Sequence, residues 1–258
     1  MAFSPGDATG IGGGNRLVTV GRDENHTVAI YHTLTGNWDD GRLQAFAQSG
    51  KQDILFACFI AGGGEFELIT GGVHTVTFWK TMGSGILEAT RGYFGRRGKV
   101  QPLTCACSIR QLIVTGTVSG HLYTWDQEKR TILQAIKAHS STVNAIIART
   151  TLKGDFFVTG GKDGVIKLWN TSMHCIKAFN MTEARPPPRD SKVRSVSIND
   201  VGNTILVGTQ GSELFEITNI QATADITGAT LLQRGHFAYE LWGTIQTVHR
   251  GLLVATLC

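Results

Sequence analysis

Three residues of types able to relay a proton recur within one short stretch of this 258-residue chain: His139, Thr159 and Asp163. An imidazole between a hydroxyl and a carboxylate is the arrangement that activates a nucleophile. The same types also suit a structural network, since a half-buried polar group must find hydrogen-bond partners, and the structural reading is taken. Motifs that accompany catalysis are missing from the sequence. There is no Gly-x-Ser-x-Gly elbow and no Gly-x4-Gly-Lys-Ser/Thr phosphate loop. The runs Gly12-Gly13-Gly14 and Gly62-Gly63-Gly64 lead into no helical periodicity, so they are read as turns and not as dinucleotide cradles. Carboxylates are scattered, with no pair assignable to one cleft. Neither catalysis nor a cofactor is expected.

Cys105 and Cys107 lie two apart on a predicted strand and so face the same side. A metal site would need two further ligands at suitable spacing. None is evident, so the pair is read as core or channel-lining thiols. Three Asn-x-Ser/Thr triplets, at Asn25, Asn170 and Asn180, match the glycosylation pattern but carry no information without a secretory signal. The basic residues are more informative. Between Lys80 and Lys137, nine Lys or Arg face three acids. Within that span Tyr93, Phe94, Arg96, Arg97 and Lys99 combine aromatics with cations on what is predicted to be a flexible loop. Such a loop suits an acidic protein surface or nucleic acid, or simply keeps the chain soluble. No RNA- or DNA-reading motif accompanies it, which argues against nucleic acid. A second loop, from Met181 to Ser191, holds Pro186, Pro187 and Pro188. It is expected to be an extended, protease-sensitive connector.

The elements that carry these residues are short strands. Hydrophobic residues make up 41% of the chain, charged residues 17%, and there are 32 glycines, with a net charge of +4. That composition is globular. No apolar run approaches the ~18 residues of a membrane span, the start has no secretory signal pattern, and an odd number of cysteines argues against a disulfide scaffold. A cytoplasmic protein is expected.

One phrase recurs about every 46 residues: Leu68-Ile69-Thr70-Gly71-Gly72, Ile113-Val114-Thr115-Gly116-Thr117, Phe157-Val158-Thr159-Gly160-Gly161 and Ile205-Leu206-Val207-Gly208-Thr209, with a weaker copy at Leu17-Val18-Thr19-Val20-Gly21. After each comes a glycine- or turn-rich link, then an alternating stretch closed by a large apolar residue: Tyr31, Trp79, Trp125, Trp169 and Ile217. Period-two alternation around a tight turn is a hairpin. A further apolar strand precedes each hairpin and another follows it. Four short strands per repeat with a closing Trp predict an all-β chain of β-propeller blades. The expected blades are 1–47, 48–99, 100–137, 138–180 and 190–234, with a partial one at 235–258. About five and a half blades leave raw edges, so the chain is expected to be a fragment of a longer one.

The blade phrases resemble the WD40 family. That resemblance implies a hydrogen-bonded network shared by His139, Thr159, Asp163 and Trp169, complete only in the fourth repeat; Ile217 replaces Trp in the fifth. A narrower likeness runs from about Asn15 to Cys258. Phe78-Trp79-Lys80 through Gly92-Tyr93-Phe94-Gly95, Lys137-Ala138-His139, the 158–164 stretch and Glu240-Leu241-Trp242-Gly243 resemble, in order, the first propeller of the echinoderm microtubule-associated protein-like family. That likeness implies a non-catalytic scaffold binding tubulin, microtubules or other cytoskeletal partners, and no membrane. The family's trimerising coiled coil, basic linker, hydrophobic linking motif and second propeller have no counterpart in these residues. A WD40 adaptor in another multiprotein complex is the alternative.

Overall fold

A computed structural model describes residues 1–4, 14–62, 67–222, 225–226 and 228–235. These form five four-stranded antiparallel sheets, each a simple meander in chain order. The first comprises β1 (Ala2–Phe3), β2 (Arg16–Val20), β3 (Thr27–His32) and β4 (Arg42–Gln48); the second, β5 (Ile54–Phe59), β6 (Leu68–Gly72), β7 (Val76–Thr81) and β8 (Leu87–Arg91). The third holds β9 (Leu103–Ile109), β10 (Leu112–Thr117), β11 (His121–Asp126) and β12 (Thr131–Lys137). In the fourth are β13 (Val143–Thr151), β14 (Gly154–Gly161), β15 (Val165–Asn170) and β16 (Cys175–Asn180), and in the fifth β17 (Val193–Ile198), β18 (Ile205–Thr209), β19 (Glu213–Ile217) and β20 (Thr230–Arg234). The partial repeat expected beyond Gly235, with its Glu240–Gly243 phrase, lies outside the described residues, as do Gly12, Gly13, Gly63 and Gly64.

The chain divides into two compact units, one of residues 1–117 with 122–136 and one of 118–121 with 137–258. In the first unit, two cores are built the same way. Val18, Val28 and Ile30 of the first sheet pack with Leu68 and Trp79 of the second. Ile69, Val76 and Phe78 of the second pack with Ile113, Tyr123 and Trp125 of the third. In the second unit Val158, Ile166 and Phe179 of the fourth sheet meet Val193, Phe215 and Ile217 of the fifth.

The recurring phrase now has a physical cause. It forms the second strand of each sheet. In β6 and β18 every residue is buried, so both faces of the strand are covered and it reads as a continuous apolar run instead of an alternation. Its glycine column answers to close approach: a Cβ on Gly160 would lie 2.4 Å from Val193 Cγ1. In the first strand of sheets two to five the register shifts by a bulge near the same end, at Ile54/Phe56, Leu103/Cys105, Val143/Ala145 and Val193/Ser195. Bulges bend a strand and raise its twist.

Candidate functional site

The closing residues occupy one register position. Tyr31 pairs with Leu17, Trp79 with Leu68, Trp125 with Ile113, Trp169 with Phe157 and Ile217 with Ile205. An indole buried there carries an N–H that needs an acceptor. The repeated Thr supplies it: Trp79, Trp125 and Trp169 each donate from Nε1 at 2.9 Å to Thr70, Thr115 and Thr159. In the fifth sheet both partners change together. Ile217 has no side-chain N–H, and Val207 takes the place of the Thr; both are fully buried. Tyr31 is only half-buried and, with Leu17, Thr19, Trp38 and Gly41, lines an open cleft of about 350 Å³.

In the fourth sheet the Thr joins a longer chain. Thr159 Oγ1 also lies 2.8 Å from His139 Nε2, and His139 Nδ1 lies 3.0 Å from Asp163 Oδ1. Burial pulls the imidazole below its ordinary value of 6.5, against the upward pull of the Asp163 charge and hydrogen bond. The ring is therefore neutral at neutral pH. With its proton on Nδ1, every donor finds an acceptor: indole to hydroxyl, hydroxyl to Nε2, Nδ1 to carboxylate. Asp163 further accepts Ser140 N at 2.8 Å and Val165 N at 3.2 Å. Burial alone would raise its carboxyl, but His139 and these N–H groups outweigh that and hold it below 3.8. Thr159 is fully buried and His139 nearly so. The hydroxyl is enclosed and already bonded, so the arrangement ties a hairpin turn to the loop before β13 and presents no nucleophile.

Glu213 does the corresponding job in the fifth sheet, a role that no motif marks. Its fully buried carboxylate accepts Arg189 N at 2.7 Å on the loop before β17 and pairs with Arg234 Nε at 3.2 Å. The hairpin carboxylate sits at a different offset and carries a different residue name, which hid the equivalence with Asp163.

Cys105, Cys107 and Cys58 are free thiols in the first unit. Burial pushes Cys58 and Cys105 up to about 12 and Cys107 well above 9.0. Such thiols are poor nucleophiles. Among the described residues no group of three or more His, Cys, Asp or Glu is placed to hold a metal ion. The proline segment is anchored at its start: Met181 and Ala184 are fully buried, and the Asn180 side chain caps the 3-10 turn Met181–Glu183. Pro186 and Pro187 are exposed.

The basic loop is a strap laid along the outer strand of the third sheet. Tyr93 N donates to Arg130 O at 2.7 Å, and Tyr93 forms a parallel bridge with Thr131. Arg97 Nη1 donates to Leu133 O at 2.7 Å, and Lys99 N to Tyr123 Oη at 3.2 Å. Phe94 corrects the loop reading. It is buried, edge-on to Trp125 at 5.6 Å and to Tyr123 at 6.4 Å, and is an anchor with no face left for a partner. A strap in this position also covers the unpaired edge of β12, the usual remedy for an exposed strand. Tyr93, Arg96 and Lys99 remain exposed. Arg97 is exposed too, but its guanidinium is engaged in holding the strap.

Repeated four-stranded meanders, four of them with a buried hairpin closer and three of those with a Thr–Trp bond, are blades, and the class they define is the WD-type β-propeller. Residues 1–217 match the family model described as "Echinoderm microtubule-associated protein first beta-propeller", and the chain belongs to that family. Among curated proteins it is 27% identical over 233 residues to mouse "Echinoderm microtubule-associated protein-like 2", covering 90% of this chain and 32% of the relative, and 28% identical to the human protein of that name. The "77 kDa echinoderm microtubule-associated protein" of Strongylocentrotus purpuratus is 26% identical over 246 residues, covering 93% of this chain and 32% of the relative. The chain thus spans about a third of the length of these relatives. Among the described residues no helix is long and apolar enough to cross a membrane.

Proposed function

We propose that this chain is a non-catalytic scaffold of the cytoplasmic cytoskeleton that binds tubulin or microtubules. Family membership and the names of its relatives support the reading. The observation that carries it in this chain is the strap: Tyr93, Arg96 and Lys99 are held out from the third sheet by a backbone pinned at Arg130, at Thr131 of β12 and at Tyr123 of β11. Fixed cations meet an acidic protein surface at less entropic cost than a mobile loop would. Microtubule co-sedimentation of the purified chain tests it. The variant Arg96→Ala/Lys99→Ala removes both cations and leaves the strap's hydrogen bonds in place, because Lys99 contributes only its backbone N–H and C=O to them. The wild-type chain is expected in the pellet and the variant largely in the supernatant. If the two sediment alike, the strap is not the binding surface. If neither pellets and neither retains soluble tubulin, the alternative of an adaptor in another complex takes its place.

A further inference from the structure

Exposure along the strap and along β12 sorts their large apolar side chains into two sets. Phe94 and Ile132 point inward, into the core shared by the second and third sheets. Tyr93 and Leu133 point outward, 57% and 46% exposed, and Val100 just beyond the strap is 60% exposed. The bridge between Tyr93 and Thr131 and the Arg97 bond to Leu133 O keep the two strands side by side. The outward surface is therefore mixed: large apolar side chains interleaved with Arg96 and Lys99. A partner that is only a polyanion would use the cations and leave Tyr93, Leu133 and Val100 in water. Tyr93 N already bonds Arg130 O and Tyr93 bridges Thr131, so the strap occupies the start of this edge and the exposed side chains are what it offers a partner there.

We infer that the strap and β12 together take an extended acidic peptide that also carries aromatic or aliphatic side chains. This rests on the scaffold reading above and names the part of the partner that docks. The carboxylates meet Arg96 and Lys99, and the apolar side chains cover Tyr93 and Leu133. Apolar contact at the centre of a charged rim is where binding energy concentrates.

Fluorescence anisotropy of the purified chain with two labelled peptides tests it. One is all glutamate; the other is glutamate interrupted by two phenylalanines. The phenylalanine peptide is expected to bind at least about tenfold more tightly, and Tyr93→Ser to remove most of that advantage while leaving the binding of the all-glutamate peptide unchanged. Equal binding of both peptides overturns the inference in favour of charge alone, and so does equal competition by a uridine oligonucleotide. No binding of either peptide also overturns it; if the chain still pellets with microtubules, the scaffold reading survives without it. Leu133→Ser is the second variant, and thermal melts of all variants exclude unfolding as the cause of any loss.

Discussion

Removing the Thr159 hydroxyl should cost about twice as much as removing that of Thr115, and the reason lies in what each oxygen holds. Thr115 Oγ1 accepts the Trp125 indole at 2.9 Å. Thr159 Oγ1 accepts the Trp169 indole at 2.9 Å and bonds His139 Nε2 at 2.8 Å. Val matches Thr in shape, so Thr→Val creates no cavity and strands only the polar partners. A buried group left without its partner costs about 1–3 kcal/mol. Thr115→Val strands one and should destabilise by that amount; Thr159→Val strands two and should cost about 2–6 kcal/mol. The fifth sheet supplies the converse. Val207 and Ile217 form an apolar pair at the same position, so Val207→Thr places a hydroxyl in a fully buried site with no indole to bond. It should cost about 1–3 kcal/mol. Urea unfolding followed by tryptophan fluorescence, with midpoint and slope fitted separately, measures all three. If Thr159→Val costs no more than Thr115→Val, or if Val207→Thr leaves stability unchanged, the hydrogen-bond reasoning is refuted.

Three further outcomes are expected. His139 has its proton affinity lowered by burial, so its neutral form contributes stability that is present above 6.5 and is lost as pH falls through that value toward the lower folded one; Asp163, also lowered, adds a second loss as pH falls below 3.8. Urea midpoints measured across that range should decline with acid in the wild type and less steeply through the imidazole range in His139→Gln. Gly120 has φ +80, and a Cβ there would lie 2.2 Å from His139 O, so Gly120→Ala should cost more than about 1 kcal/mol and lower the melting temperature. Cys58, Cys105 and Cys107 should resist iodoacetamide at pH ~8 while the chain is folded and react once it is unfolded, with the exposed Cys175 labelled first, as site-resolved mass spectrometry would read.

Much of the fold was legible because its causes are local. A strand covered on both faces needs a continuous apolar phrase, a close sheet contact needs glycine, and a buried indole needs an acceptor nearby; each leaves a residue at a fixed spacing. The network of His139, Thr159, Asp163 and Trp169 was expected from the likeness to WD40 repeats and not from spacing alone. Other features depend on what lies across from a residue. Phe94 reads as exposed when its segment is taken for a free loop; only the strand beside it shows that Tyr93 faces out and Phe94 in. Glu213 performs the work of Asp163 from another offset, which no repeat alignment by residue type would find. Tyr31 reads as another closer, yet the cleft beside it leaves it half-exposed. The proline segment reads as a plain connector, although Met181 and Ala184 at its start are core residues.

The most direct test of the central claim is the affinity of the purified chain for tubulin at low and at raised salt, measured in parallel for the wild type and for Arg96→Ala/Lys99→Ala. Exposed charges are screened beyond about 10 Å at 0.1 M salt, so a strap that binds through its cations predicts tight wild-type binding that weakens with salt. The variant should bind more weakly and respond less to salt. Wild-type binding that is indifferent to salt, or matched by the variant at low salt, would contradict the account.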